Sequence, residues 1–499
     1  MKKKTIKNII FSLLTQIICI VCGFVIPKLM IQKYGSETYG LVTSITQFLA
    51  YITLFESGIG LVTKSALYKA IASKNKKEIS SILHYTQKFF NKIILIFAFY
   101  IVVLCFIYPN FESASNFDSF FTISLIIIIS ISCMFEYFIG MTYKLYLQAD
   151  QKNYIVSYIQ IITYILNTIS IFILIKLNCD IRIVKLVSSV IFISRPIIQS
   201  IYVKKKLKLN LKEYDENYKL IGQKHGLSQH IAGVINTNID VVLLTIFTPL
   251  INVSIYSVYN LIISQIRTLI NGFTVGTDAF FGDLYAKGEK EKLNKYFNIY
   301  ETIYIFIVTV IFSCCMILIV PFVKVYTSGI NDANYIQKLF AILFVFSGLM
   351  ACIKSPYNSL VYNAGKFMET EKGAWIEVAI NIIVSAVAVN KYGLIGVIFG
   401  TLLATIFRGV EFSIYTSKKL LERKCIISIK KIVMSMIVTF LVYFIGYKFM
   451  FEGINSYLDW IKYGILGFFA TILITFLFNL IFINKEIKET IIFLKEVKK

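Results

Sequence analysis

Four cations, Arg195, Arg267, Lys354 and Arg408, lie inside long apolar runs of this 499-residue chain. A charge at the centre of a bilayer costs about 2.5–3.5 kcal/mol on insertion scales, so residues of this kind face a partner or a polar cavity. Their chemistry is the neutralisation of an anion, and a guanidinium does it with a planar fork that pairs two oxygens at once. The acids Glu56, Glu136 and Asp240 occupy similar positions. Buried carboxylates either pair with cations or carry a coupling proton or cation.

These residues are not equivalent. Arg267 is central in its run, and the corresponding stretch of the first half, around Ala50 to Thr53, is uncharged. That asymmetry favours a role in handling cargo, against the alternative of a static bridge to Asp240. Arg195 and Arg408 lie within about two turns of lysine-rich ends, from which long side chains reach the headgroups. Glu411 follows Arg408 by three residues, the spacing of a pair across one helical turn. Lys354 reads as a second cavity cation or a snorkelling one. Lys28 and Lys64 read as interface lysines, and Glu377 as a favourable charge at a helix N-terminus. His84, His225 and His230 fall in or near lysine-rich connections, with no nucleophile or carboxylate pair beside them.

The elements that position these groups are membrane helices. A chain that is 57% hydrophobic and 16% charged, with six prolines, is a polytopic membrane protein by composition. A helix needs about 20 apolar residues to cross the hydrocarbon core, and that ruler gives roughly 14 spans: 8–31, 38–62, 89–109, 119–143, 154–175, 183–203, 227–249, 253–280, 297–322, 338–362, 373–390, 393–416, 431–451 and 458–483. The first run is long enough to span and lacks a small-residue cleavage site, so it reads as a transmembrane helix rather than a cleaved leader. With the N-terminus inside, about 37 of the Lys and Arg residues fall in inner segments and about 10 in outer ones, as the positive-inside rule requires. The net charge of +23 therefore belongs to cytoplasmic loops of a plasma-membrane protein and not to a nucleic-acid surface. Both termini are expected in the cytoplasm. Cys19 and Cys22 have no second pair or histidine near them, and no metal or cofactor is expected beyond proton or sodium coupling.

The chain repeats itself. RPIIQSIYVKKKL, from Arg195, returns some 213 positions later as RGVEFSIYTSKKL, from Arg408. Gln148 to Gln151 likewise matches Asn363 to Lys366, and Ser73 to Ile79 matches Lys287 to Leu293. Each copy holds an even number of spans, so the two are parallel. The fold expected is all-α and MATE-like: a six-helix lobe over 1–208, a linker over 209–226, a second six-helix lobe over 227–420, and two further helices with a tail over 421–499. Parallel lobes of this kind are a transporter architecture, with a cavity between them and access alternating from side to side. A feature copied in both halves, such as Arg195 with Arg408, is most economically a device of fold and topology, the alternative being a grip on cargo at the cytoplasmic mouth.

Pro27, then Tyr34-Gly35 and Gly40-Leu41, together with Leu145 to Asn167 (LYLQADQKNYIVSYIQIITYILN), resemble the opening signature and the fourth connection of polysaccharide transporters of the Wzx flippase type. Those belong to the multidrug, oligosaccharidyl-lipid and polysaccharide exporter superfamily. The resemblance implies translocation of undecaprenyl-pyrophosphate-linked oligosaccharide units across the bacterial cytoplasmic membrane, with membrane lipids, a polysaccharide polymerase and glycosyltransferases as partners. With such a cargo, Arg267 and Lys354 become the candidate cations for the pyrophosphate, with Arg195 and Arg408 as candidates at the cytoplasmic mouth, beside the structural alternatives given above. A flippase for the peptidoglycan precursor lipid and a drug or cation antiporter of the same superfamily are the nearest alternatives, although the first span carries no acid for an antiporter's ion site. A membrane polymerase or glycosyltransferase needs a large outer loop or a catalytic cluster, and the longest outer connection, near Phe111 to Asp118, offers only Glu112 and Asp118. An enzyme is therefore not expected.

Overall fold

The computed structural model describes residues 2–206, 214–215, 218, 224–450 and 453–497. Most of the expected linker over 209–226 lies outside the described residues. The helices in chain order are α1 (Lys2–Tyr34), α2 (Ser36–Leu49), α3 (Thr53–Ala72), α4 (Lys76–Ile107), α5 (Ser119–Phe135), α6 (Met141–Ala149), α7 (Asn153–Lys176), α8 (Ile181–Lys206) and α9 (Lys224–Phe247). They continue as α10 (Leu250–Ala286), α11 (Lys290–Tyr326), α12 (Lys338–Ile353), α13 (Ser355–Asn363), α14 (Phe367–Tyr392), α15 (Leu394–Tyr415), α16 (Ile426–Met450), α17 (Tyr457–Phe482) and α18 (Asn484–Val497). With α2–α3, α5–α6 and α12–α13 each counted as one interrupted rod, these are the expected spans plus one short C-terminal helix. Among the described residues, 11 segments are long and apolar enough to cross a membrane by composition alone. The protein is an all-α polytopic membrane protein.

The sequence repeat is written in the backbone. Residues with positive φ end the rods at matching places: Lys74 (54°) with Gly288 (71°), Gln151 (54°) with Gly365 (69°), and Asn178 (55°) with Gly393 (53°). At the first two pairs the same double closure follows, in which the left-handed residue and its successor return to carbonyls of the last turn, as in Lys152 N–H to Leu147 and Lys366 N–H to Val361. Glycine takes this conformation without steric cost in the second copy, while the first copy uses Lys74 and Gln151.

The interruptions repeat as well. The fourth rod passes through a wide turn at Glu136–Gly140, and the tenth breaks at Lys354. In the tenth, Pro356 cannot donate to the Cys352 carbonyl, and the Tyr304 hydroxyl takes that place at 3.3 Å. In the fourth, the Phe138 carbonyl accepts from Gln87 Nε2 at 2.7 Å. The wide turn lies against Pro196 of α8, where a Cβ on Gly140 would come within 2.6 Å of the proline ring.

The chain divides into two compact units, residues 1–254 and 255–499. In the first, α1 packs on α7, α7 and α5 on α8, and α9 on α2 and α3, so this unit extends past the first sequence copy. In the second, α11 is apolar on nearly every face, as a buried helix must be, and α12, α16, α17 and α18 pack around it. Its most apolar window is 72% buried against 22% for α17, whose Phe469 and Ile481 point outward. The helices α14 and α15 form a tight hairpin, because Gly396 and Gly400 bring α15 against the backbone of Ala388 and Ser385.

Candidate functional site

Two of the expected cations meet at a shared carboxylate. Lys354, at the break between α12 and α13, puts Nζ 2.6 Å from Glu377 Oε1 on α14, and Arg408 Nε on α15 lies 3.6 Å from Oε2 of the same residue. Arg408 also pairs with Glu411, donates to the Thr370 carbonyl at 3.0 Å, and covers the Phe412 ring at 3.9 Å. Its side chain is 2% exposed. Two sequence expectations are corrected here. Arg408 does not snorkel, because carboxylates, a carbonyl and an aromatic face satisfy it where it stands. Glu377 is not a helix-terminal charge but lies well inside α14, where it compensates two cations.

Arg195, the repeat partner of Arg408, has a different environment. Its Nε donates to Thr163 Oγ1 at 2.6 Å, and its guanidinium lies 4.5 and 4.3 Å from the Tyr164 and Phe192 ring centres. One terminal nitrogen is buried without a hydrogen-bond partner. Thr163 stands in α7 where Glu377 stands in α14, so the two copies present a hydroxyl and a carboxylate to the same nitrogen of the paired arginine.

Arg267 is exposed on α10, and no described residue of its own unit pairs with it. Asp240 is buried on α9 in the other unit and is engaged. Glu56 accepts from the Tyr137 hydroxyl at 3.1 Å, and Glu136, at the start of the wide turn, lies 3.7 Å from Lys144. The first unit thus brings Glu56 and Glu136 to the two ends of the Glu136-Tyr137 step. His84 stacks on Tyr214, with ring centres 3.7 Å apart.

A second ionic cluster escaped the sequence reading. Glu301 on α11 is fully buried and accepts from Lys431 Nζ at 2.6 Å, from Arg423 Nη2 at 2.8 Å to both oxygens, from Ser428 at 2.6 Å and from Tyr357 at 2.7 Å. Lys431 is itself fully buried and donates to Asn298 Oδ1 at 2.8 Å. Arg423 and Lys431 fall at the lysine-rich connection and the first turns of α16, and by sequence they read as loop charges. The signal available was Glu301, the acid inside the ninth apolar run. The cluster pins α16 and the break-bearing α13 to the central α11.

With this geometry in view, the fold has clear relatives among solved structures. The lipid II flippase MurJ, in an inward closed conformation, superposes with a TM-score of 0.69 at 17% identity, over 96% of this chain and 100% of that one. The chain carries the same fold. The Vibrio cholerae MATE transporter VcmN in its bent form gives 0.54 at 12% identity over 84% of this chain and 98% of its own. An inward-facing multidrug resistance MATE family transporter of the MOP superfamily gives 0.52 at 12% identity over 80% and 95%. No protein-family model and no curated protein matches the sequence. The MATE-like expectation therefore stands at the level of fold.

Proposed function

We propose that the protein is a flippase that moves undecaprenyl-pyrophosphate-linked oligosaccharide units from the cytoplasmic to the outer leaflet by alternating access, for a capsule or O-antigen type of surface glycan. The observation that carries this reading is Arg267. Among the four cations in apolar runs, Lys354, Arg195 and Arg408 have carboxylate, hydroxyl or ring partners within their own unit, while Arg267 has none among the described residues. A permanently charged fork left available inside a membrane rod suits a pyrophosphate, the strongly anionic part of such a cargo. Desolvating that group is the costly step, and a cation held against it offsets part of the cost. A membrane potential negative inside favours outward movement of an anion by about 2.3 kcal/mol per net charge per 100 mV. The proposed cytoplasmic termini and the coupling acids Glu56 and Glu136 belong to the same reading. The Wzx-type motifs support the polysaccharide branch.

The test is the leaflet in which lipid-linked repeat units accumulate after gene deletion and after restoration as Arg267→Ala. Cytoplasmic accumulation in both strains, with normal protein level, supports the proposal; unaltered lipid intermediates in the deletion strain overturn it. The close superposition with MurJ over the full length favours one second reading, transport of a peptidoglycan precursor lipid. Rescue of cells depleted of their precursor flippase distinguishes it, and whole-cell drug export tests the MATE-type alternative.

A further inference from the structure

Between the first turns of α11, the start of α16 and the C-terminal α18 runs a groove of about 580 Å³. Lys295, Arg423 and Lys485 line it with positive charge, and Glu291, Glu486 and Glu489 with negative charge. Its inner wall is the Glu301 cluster. Arg423 is 5% exposed, holds Glu301 through Nη2 and Asn298 through Nη1 at 3.3 Å, and keeps a buried Nε that has no hydrogen-bond partner. Asn298 links the two layers, since its amide also reaches Glu489 at 3.4 Å. Ile427, Ile492 and Phe493 give the groove an apolar side, and Ile481 and Phe482, at the end of α17 just before α18, are exposed.

We propose that this groove binds the zwitterionic headgroup of an amine-bearing phospholipid, phosphate toward Arg423 and Lys485 and primary ammonium toward Glu486 and Glu489. The occupant follows from the mixed lining. A purely anionic headgroup also faces the three carboxylates, and a purely cationic ligand the three cations. A phosphate and an ammonium joined by a two-carbon link satisfy both walls with charge-assisted hydrogen bonds. A quaternary amine has no N–H to donate to the glutamates, so choline lipids match the charge but lose the bonds. This site is separate from Arg267 and does not depend on the cargo proposed above.

The experiment is native mass spectrometry of the full chain released from nanodiscs containing equal amounts of phosphatidylethanolamine, phosphatidylcholine and phosphatidylglycerol with identical acyl chains. Retention of the ethanolamine lipid about tenfold over either competitor is expected, the difference of a charge-assisted bond set. The triple variant Glu291→Gln, Glu486→Gln, Glu489→Gln, at the groove rim, is expected to abolish the preference over choline and to raise retention of the glycerol lipid, with an unchanged melting temperature. Equal retention of the three lipids by the wild type, or an unchanged preference in the variant, overturns the proposal. If the variant does not fold, soluble phosphoethanolamine is titrated against the lipid-loaded wild type. Displacement by it and not by phosphocholine supports the site, and equal action of the two refutes it.

Discussion

Replacing Glu377 with glutamine leaves the side chain's shape and removes the charge that Lys354 and Arg408 share. Breaking a buried pair by deleting one partner costs about 3–5 kcal/mol, because the partner charge is left uncompensated in a poor dielectric. Here the two cations differ. Lys354 has 21% of its side chain exposed and relaxes part of its charge into water, while Arg408, at 2%, keeps Glu411 and the Thr370 carbonyl. The expected loss therefore falls near the lower bound, about 3 kcal/mol. Glu411→Gln removes the more exposed acid, at 27%, and is expected to cost about 1–2 kcal/mol. Lys354→Met in the Glu377→Gln background relieves the stranded ammonium, giving a coupling of about 1–2 kcal/mol between the two sites. The assay is the apparent melting temperature of purified variants in one detergent, read as a double-mutant cycle. The reasoning is refuted if Glu377→Gln melts no lower than Glu411→Gln, or if the Lys354 and Glu377 effects simply add.

Other outcomes follow from the same geometry. Glu301→Gln strands Lys431 and Arg423 in a fully buried place and is expected to cost about 3–5 kcal/mol, visible as loss of folded protein by fluorescence-detected size exclusion. Gly373→Ala puts a Cβ where the Glu411 carboxylate lies, so it is expected to lose about 1–2 kcal/mol by melting, and in a Glu411→Ala background, which carries its own cost, the same substitution is expected to lose almost nothing more. Gln87→Leu leaves the Phe138 carbonyl of the wide turn without its donor, with an expected loss of about 1–3 kcal/mol by the same measurement. Gln151→Gly relieves a left-handed side chain and is expected to raise the melting temperature slightly, whereas Gly365→Ala at the matching place lowers it.

The rods were legible because length and hydropathy report them directly, and the repeat was legible because Arg195 and Arg408 carry matching neighbours. The Arg408–Glu411 pair was legible too, since three residues on one helix define a contact. The partners of Lys354 were not: Glu377 reaches it from another helix, and no spacing rule relates them. The break at Lys354 turns that lysine toward α14, and one sequence read as an unbroken span hides the turn. Arg423 and Lys431 were hidden for the opposite reason. They stand among loop lysines that look solvated, and only the packing of α16 on α11 draws them into the interior toward Glu301.

The glycine seam between α14 and α15 has a mechanical consequence. Where Gly396 and Gly400 let one helix rest on the other's backbone, no side chains lie between them to act as a bearing. Sliding by even one residue rise, about 1.5 Å, would drive the next side chain into the Ala388 carbonyl or the Ser385 amide. The α14–α15 hairpin is thereby a single stiff body, whose two helices have no room to slide on one another.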